Sequence, residues 1–266
     1  MTTFALIGVG KLGEALLSGL LRAGRPAEQV IASERHTGRA REIGELYAVR
    51  TATPSEAVAD ADVVLLAVKP QDMRTALKDL AAQVTQDKVV VSMAAGITTA
   101  LLEEELPAGT RCVRVMTNTP VFVDEAMSVV CAGSHATEAD LQLVEELLRP
   151  VGKVIRLPEH QLDAVTALSG SGPAYFFYLV EAMIDAGILL GLPRAIAAEL
   201  IVQTAVGSAK MLKESGEHPV VLREAVMSPA GTTISAIRVM EDHGVRAAML
   251  AALEAARDRS KELGGG

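Results

Sequence analysis

As far as residue 157, apolar positions cluster in short unbroken runs with stretches of helical spacing between them. FALIGV (4–9), VIAS (30–33), DVVLLAV (62–68), KVVVSMA (88–94), CVRVM (112–116) and AMSVVCA (126–132) read as strands, and VIRL (154–157) as a further short one. DVVLLAV is apolar almost throughout, as in a central parallel strand covered on both faces. KLGEALLSGLLRAG (11–24) has helical spacing and closes on Gly24, and another helix spans about Glu138 to Arg149. This alternation is that of βαβ units and predicts a parallel sheet.

The pattern changes after Leu162, where only helices punctuated by Gly and Pro follow. Pro173, Pro193, Pro219 and Pro229 each sit where a proline opens a helix. The chain therefore divides into a Rossmann-like α/β domain over 1–160 and an all-helical domain over 161–266. LSGSGPAYFF (168–177) predicts a helix capped by Ser171 and begun at Pro173, with Tyr175, Phe176 and Phe177 anchored in a core. Gly170 and Gly172 leave room for a ligand or chain to pass close by. The apolar run Ala174–Leu192 contains Glu181 and Asp185, which points to a buried helix of a soluble protein rather than a membrane span. The final three glycines read as a disordered tail.

Composition narrows the partners. Half of the residues are apolar but only 3% are aromatic, so the core must be Ala, Val, Leu and Ile. The net charge is −8 and no Lys/Arg tract stands out, which argues against nucleic acid or an anionic membrane as partner. Cys112 and Cys131 have neither metal-site nor disulfide spacing and read as buried thiols of a reducing cytosol; no metal is expected. MTTFALIGVGKLG lacks the basic start of a signal peptide, consistent with a cytoplasmic protein.

Gly8-Val9-Gly10-Lys11-Leu12-Gly13 follows the first strand and opens the first helix. Glycines there permit a tight turn, backbone approach to a pyrophosphate and close helix–strand packing, while the helix start supplies amides for phosphate. The second strand ends at Ser33-Glu34-Arg35, at the distance where a ribose is read. The motif in this context indicates NAD or NADP. Glu34 suits a ribose 2′-hydroxyl and Arg35 a 2′-phosphate, so the choice between the two stays open. AVKPQ (67–71) and SMAAG (92–96) close strands at the carboxyl end of the sheet, where Ala94, Ala95 and Gly96 leave space for a flat nucleotide. A second small-residue turn, Ser228-Pro229-Ala230-Gly231-Thr232-Thr233, offers amides and hydroxyls at a helix start, suited to a carboxylate.

RVMTNTP (114–120), DAVTALSGSGPAY (163–175), GLPR (191–194), AKML (209–212) and SPAGTTI (228–234), behind GVGKLG and AVKP, closely resemble the pyrroline-5-carboxylate reductase family along essentially the whole chain. The resemblance implies reduction of a cyclic imino acid to L-proline by NADPH, with NADH possible. It implies a Rossmann domain followed by a helical dimerisation domain, with dimers that assemble further into a ring such as a decamer. It places the adenosine diphosphate portion on Gly8–Gly13 with Ser33 and Arg35, and lines the cofactor with Val68, Lys69, Pro70, Met93, Ala94 and Ala95. It sets Asn118, Thr119 and Pro120 near the nicotinamide, and puts the substrate on Ser228, Gly231, Thr232 and Thr233 with Glu159 and Thr166 close by. Two positions depart from the family pattern. Ala230 replaces a glycine, which is tolerable only without a positive φ, and Thr53-Pro54-Ser55 stands where the family often has a ribose-binding Asn.

A site of hydroxyls, glycines and amides suits a reaction in which the cofactor carries the chemistry and the protein orients the partners. Thr233 is the first choice for a hydroxyl near the ring nitrogen. One competing reading is a hydroxyacid dehydrogenase with a helical lysine as acid–base, for which Lys210 and Lys213 are the candidates. Another is a dinucleotide sensor without catalysis, which has no use for the SPAGTT turn.

Overall fold

The computed structural model describes residues 2–264. They form two compact units, 2–171 with 255–264, and Gly172–Glu254.

The first unit runs β1 (Phe4–Ile7), α1 (Lys11–Arg22), β2 (Val30–Ser33), α2 (Thr37–Tyr47), β3 (Arg50–Thr51), α3 (Pro54–Ala59) and β4 (Val63–Leu66). It continues through α4 (Met73–Leu80), β5 (Val89–Ser92), α5 (Thr99–Glu105), β6 (Arg111–Met116), β7 (Ala126–Ala132), α6 (Glu138–Leu148), β8 (Gly152–Arg156) and α7 (Leu162–Val165). The strands make one sheet in the order β3-β2-β1-β4-β5-β6-β7-β8. All neighbours are parallel except β6 and β7, which run antiparallel with Val113 opposite Ala132.

The unbroken apolar runs follow from this architecture. In β1, Phe4 and Leu6 pack with Leu16, Leu17 and Leu20 of α1, while Ala5 and Ile7 join Met73, Leu77 and Leu80 of α4 on the opposite face. With both faces covered, a strand has no wet side on which to place polar residues. Each fully buried Leu or Ile contributes about 1.5–3 kcal/mol, so these two layers hold the sheet. The Thr53-Pro54-Ser55 departure is a helix start: the Thr53 hydroxyl accepts from Glu56 N at 3.4 Å and the Glu56 carboxylate accepts from Thr53 N at 3.0 Å.

The second unit holds α8 (Gly172–Leu189), α9 (Arg194–Ser215), α10 (Pro219–Ala225), α11 (Thr232–Asp242) and the first turns of α12 (Val245–Leu263). α8 and α9 pack closely where Gly187 faces Ala197; a Cβ on Gly187 would lie 2.8 Å from the Ala197 Cβ.

Several expectations change here. Ser171 is not a cap: its backbone is right-handed helical (φ −84°, ψ −14°), and a π-turn over Thr166–Gly170 joins α7 to α8, with Ser171 N donating to Thr166 O at 2.8 Å. Pro219 opens α10 and Pro173 lies in the first turn of α8 as expected, whereas Pro193 precedes α9 and Pro229 lies in a turn ahead of α11. The Ala174–Leu192 run is not buried in the single chain. Phe176 and Phe177 are 66% and 69% exposed and Leu189 is 89% exposed, so these aromatics anchor no core of their own chain. Of residues 172–254 only Gly172 and Ala197 are buried. By length and composition alone, Glu159–Leu189 and Arg194–Ser215 are long and apolar enough to cross a membrane. The tail reading for Gly265 and Gly266 lies outside the described residues, while the Gly264 amide donates to Ser260 O and Lys261 O.

Candidate functional site

Strand order reverses on either side of β1 and β4, and this opens a crevice at their carboxyl ends. The glycine turn lies there. Gly8 has φ +91°, its amide donates to Ser33 O at 2.8 Å, and a Cβ on it would lie 3.0 Å from Ala67 O. A Cβ on Gly13 would collide with the Gly8 carbonyl oxygen. Both positions therefore require glycine. Around the Gly10 Cα there is open space, and no side chain caps α1, which leaves its first amides to a ligand or water. The Ser33 hydroxyl is buried without a partner. An open amide cradle with a positive helix end and an orphaned hydroxyl at the ribose end fits a dinucleotide.

The charges around the cradle are mostly tied down. Glu34 Oε2 accepts from Val9 N at 3.0 Å and Oε1 from His36 N at 3.2 Å. Glu14, in the first turn of α1, accepts from Arg39 and from the Tyr47 hydroxyl. Burial pushes the Tyr47 phenol up, and the Glu14 carboxylate adds to the shift. The Arg39 guanidinium is raised chiefly by its bond to Glu42, then by Glu14. A carboxylate near the phosphate turn is thus compensated.

Val68, Lys69 and Pro70 leave β4 beside the turn; the Val68 Cγ1 would sit 3.2 Å from a Cβ on Gly8. Lys69 is extended and Pro70 begins a 3₁₀ turn. Met93 and Ala94 are buried after β5, Met93 N donates to Leu66 O at 3.0 Å, and Ala95 is half-buried beside them. The structure thus gathers Gly8–Gly13, Ser33, Val68–Pro70 and Met93–Ala95 along the crevice edge.

Asn118, Thr119 and Pro120 follow β6, and the Asn118 amide is used at both ends. Its Nδ2 donates to Ser169 O at 3.0 Å and its Oδ1 accepts from Met127 N at 3.0 Å. The Ser169 carbonyl lies in the π-turn, and turns of this kind recur at functional sites. A Cβ on Gly170 would run into Met116, so the passing neighbour foreseen for this glycine is a side chain of β6. Thr166 is buried and its hydroxyl donates to Leu162 O at 2.8 Å. Glu159 accepts from Thr99 N at 2.7 Å, Thr99 Oγ1 at 2.6 Å and Arg114 Nη1 at 3.1 Å. Arg114 is only 3% exposed, so this carboxylate both answers a buried charge and fixes the start of α5. The bonds of Arg114 and Thr99 to Glu159 could not be read from the sequence, because that partner lies 45 and 60 residues away. Burial raises the Cys131 thiol to about 11, with Glu159 adding to it, and the Cys112 thiol to about 12, with Glu103 adding to it.

In the second unit, Ser228–Thr233 forms the turn before α11. Gly231 N donates to Ser228 O at 3.0 Å, and Ala230 has φ +54°. Alanine therefore occupies the conformation that favours glycine, at a cost of about 1 kcal/mol. A Cβ on Gly231 would strike the Ser228 hydroxyl. Gly231 caps α11 without a side-chain bond, which leaves the Thr232 and Thr233 amides to a ligand or water. Lys210, a candidate acid–base of the hydroxyacid dehydrogenase reading, pairs with Glu214 at 3.8 Å on the exposed end of α9. Among the described residues no group of three or more His, Cys, Asp or Glu side chains could hold a metal ion.

Known proteins agree with this layout. The family model for pyrroline-5-carboxylate reductase dimerisation matches residues 159–263, and that for NADP oxidoreductase, coenzyme F420-dependent, matches 3–96. A pyrroline-5-carboxylate reductase of Corynebacterium melassecola is 46% identical, with 99% of each chain covered. That of Mycobacterium tuberculosis is 43% identical, covering 99% of this chain and 97% of the relative. The crystal structure of Plasmodium falciparum pyrroline carboxylate reductase with NADP bound superposes with a TM-score of 0.91 at 27% identity, covering 99% and 98% of the two chains. With its glycine turn at the sheet's switch point and its relatives matched end to end, the chain belongs to the pyrroline-5-carboxylate reductase family.

Proposed function

We propose that this protein reduces 1-pyrroline-5-carboxylate to L-proline by hydride transfer from NADPH or NADH, the last step of proline biosynthesis. The observation that carries the reading is the glycine cradle at the β1/β4 switch point, in a chain 46% identical to a named reductase. When bound, the reduced nicotinamide supplies the hydride. The chain's residues then have three tasks. Gly8, Val9, Gly10, Lys11, Leu12 and Gly13 receive the pyrophosphate, with Ser33 and Arg35 at the ribose end. Val68, Lys69, Pro70, Met93, Ala94, Ala95, Asn118, Thr119 and Pro120 shape the nicotinamide side. Ser228, Gly231, Thr232 and Thr233 take the substrate carboxylate on amides and hydroxyls. Orientation of this kind supplies on the order of 7 kcal/mol of a barrier.

Thr166 and Glu159 border the substrate in this reading. The Glu159 carboxylate already serves Thr99 and Arg114, so its contribution is to hold that border in place. Thr233 handles the proton at the imine nitrogen. Thr233→Ala should lower kcat about 10- to 100-fold while changing NADPH affinity less than threefold. Unchanged turnover at saturating imine would remove Thr233 from the chemistry. The functional division follows 1–160 for the dinucleotide and 161–266 for dimerisation and substrate. A second copy covers the exposed apolar faces of α8 and α9, and the dimers associate into a ring such as a decamer. We place the protein in the cytoplasm, which suits its two free thiols.

The deciding assay follows NADPH or NADH oxidation on adding pyrroline-5-carboxylate, beside a 3-hydroxyacid control. Oxidation with the imine alone supports the reading. Activity with the hydroxyacid alone, or with neither, rejects it.

A further inference from the structure

The exit of β2 carries Ser33, Glu34 and Arg35, at the place where a dinucleotide crevice reads the adenosine ribose. We propose that Glu34 excludes a 2′-phosphate, so that this chain takes NADH in preference to NADPH. The inference rests on the dinucleotide reading above and extends it to the choice of cofactor.

The Glu34 carboxylate is not a free loop charge. The Val9 amide, inside the glycine turn, donates to one oxygen at 3.0 Å, and the His36 amide donates to the other at 3.2 Å. Two backbone donors from separate loops thus hold it, half-buried, between the phosphate turn and the end of β2. Each oxygen keeps a further lone pair for a donor. A ribose 2′-hydroxyl is such a donor. A 2′-phosphate brings only acceptors and close to two negative charges, and it would meet a carboxylate that two backbone amides hold in place.

Arg35 pulls in the opposite direction, yet it is held much less firmly. It is exposed, and it makes no ion pair among the described residues. A guanidinium in solvent is screened by salt and must be ordered before it can pair, so its contribution is small. The buried Ser33 hydroxyl can serve either ribose form, because it both donates and accepts. The fixed acid therefore decides. The Plasmodium falciparum relative, 27% identical, has NADP bound.

Calorimetric titration of the intact protein reads this without any imine. The probes are NAD⁺ and NADP⁺, with 5′-ADP and 2′,5′-ADP to isolate the ribose end. The wild type should bind NAD⁺ at least tenfold more tightly than NADP⁺, and 5′-ADP more tightly than 2′,5′-ADP. Glu34→Gln keeps the shape and removes the charge; it should narrow the NAD⁺/NADP⁺ ratio at least tenfold, mainly by tightening NADP⁺. Glu34→Ser provides a second, smaller neutral variant with the same expected direction. Equal or tighter NADP⁺ binding by the wild type, or a ratio unmoved in both variants, overturns the inference. Binding of neither dinucleotide overturns it together with the dinucleotide reading. Failure to reduce the imine while NAD⁺ stays preferred rejects only the substrate reading.

Discussion

Single residues show where sequence patterns were sufficient. Gly8 and Gly13 were legible because the backbone conformation and the Gly8–Gly13 approach admit no side chain, so the motif and the geometry are one constraint. Ala230 was legible only as a question, since a φ of +54° cannot be read from its name. The two cysteines were foreseen as buried thiols, and that burial has a measurable consequence. Folded, they titrate near 12 for Cys112 and 11 for Cys131, whereas an unfolded thiol titrates near 8.5. Below the unfolded value both states are protonated and the stability is fully present. As pH rises further the unfolded chain loses protons that the folded chain keeps, so stability falls until the folded values are reached. Each thiol should remove about 1.4 kcal/mol per pH unit over that window. Thermal melts from pH 7 to 10 should therefore fall more steeply for the wild type than for a Cys112→Ala/Cys131→Ala variant. Equal slopes would show that the thiols do not carry the effect.

Whole elements were legible in proportion to their burial. β1, β4 and β5 were plain in the sequence because both of their faces are covered, while β3 is two exposed residues at the sheet edge and carries no apolar signal. The join of α7 to α8 was misread for a physical reason. Ser-Gly-Pro is a good helix start taken locally, but a π-turn carries the helical backbone through it. What holds that turn comes from far along the chain: Asn118 bonds Ser169 O and Met127 N across separations of 51 and 9 residues. Asn118→Ala leaves both groups without a partner and should cost about 1–3 kcal/mol. Hydrogen exchange should show faster exchange of the Met127 and Ser171 amides in that variant. Unchanged protection of both would show that the clasp does not hold the turn.

At the scale of the molecule, the largest gap between sequence and structure lies in the helical unit. Its apolar content reads as a core, yet within one chain nearly all of it faces outward. Sequence alone does not say whether an apolar face is covered by its own chain or by another. If a second copy covers it, Phe177→Asp combined with Leu200→Glu should dissociate the assembly and lower the thermal midpoint. Light scattering after size exclusion measures this, and an unchanged mass would exclude that face from the interface. Residues 255–264 complete the first unit. Ser260 is buried and bonds Asp163 at 2.7 Å, and a Cβ on Gly96, in the loop after β5, would lie 3.1 Å from Leu263 and Gly264. Residues 255–264 follow the helical unit in sequence yet belong to the first unit, so a nascent chain can have its whole sheet translated and still lack the segment that packs on this loop. Until those residues are made, the loop after β5 lacks that cover, so the first unit cannot be completed before the helical unit has been translated.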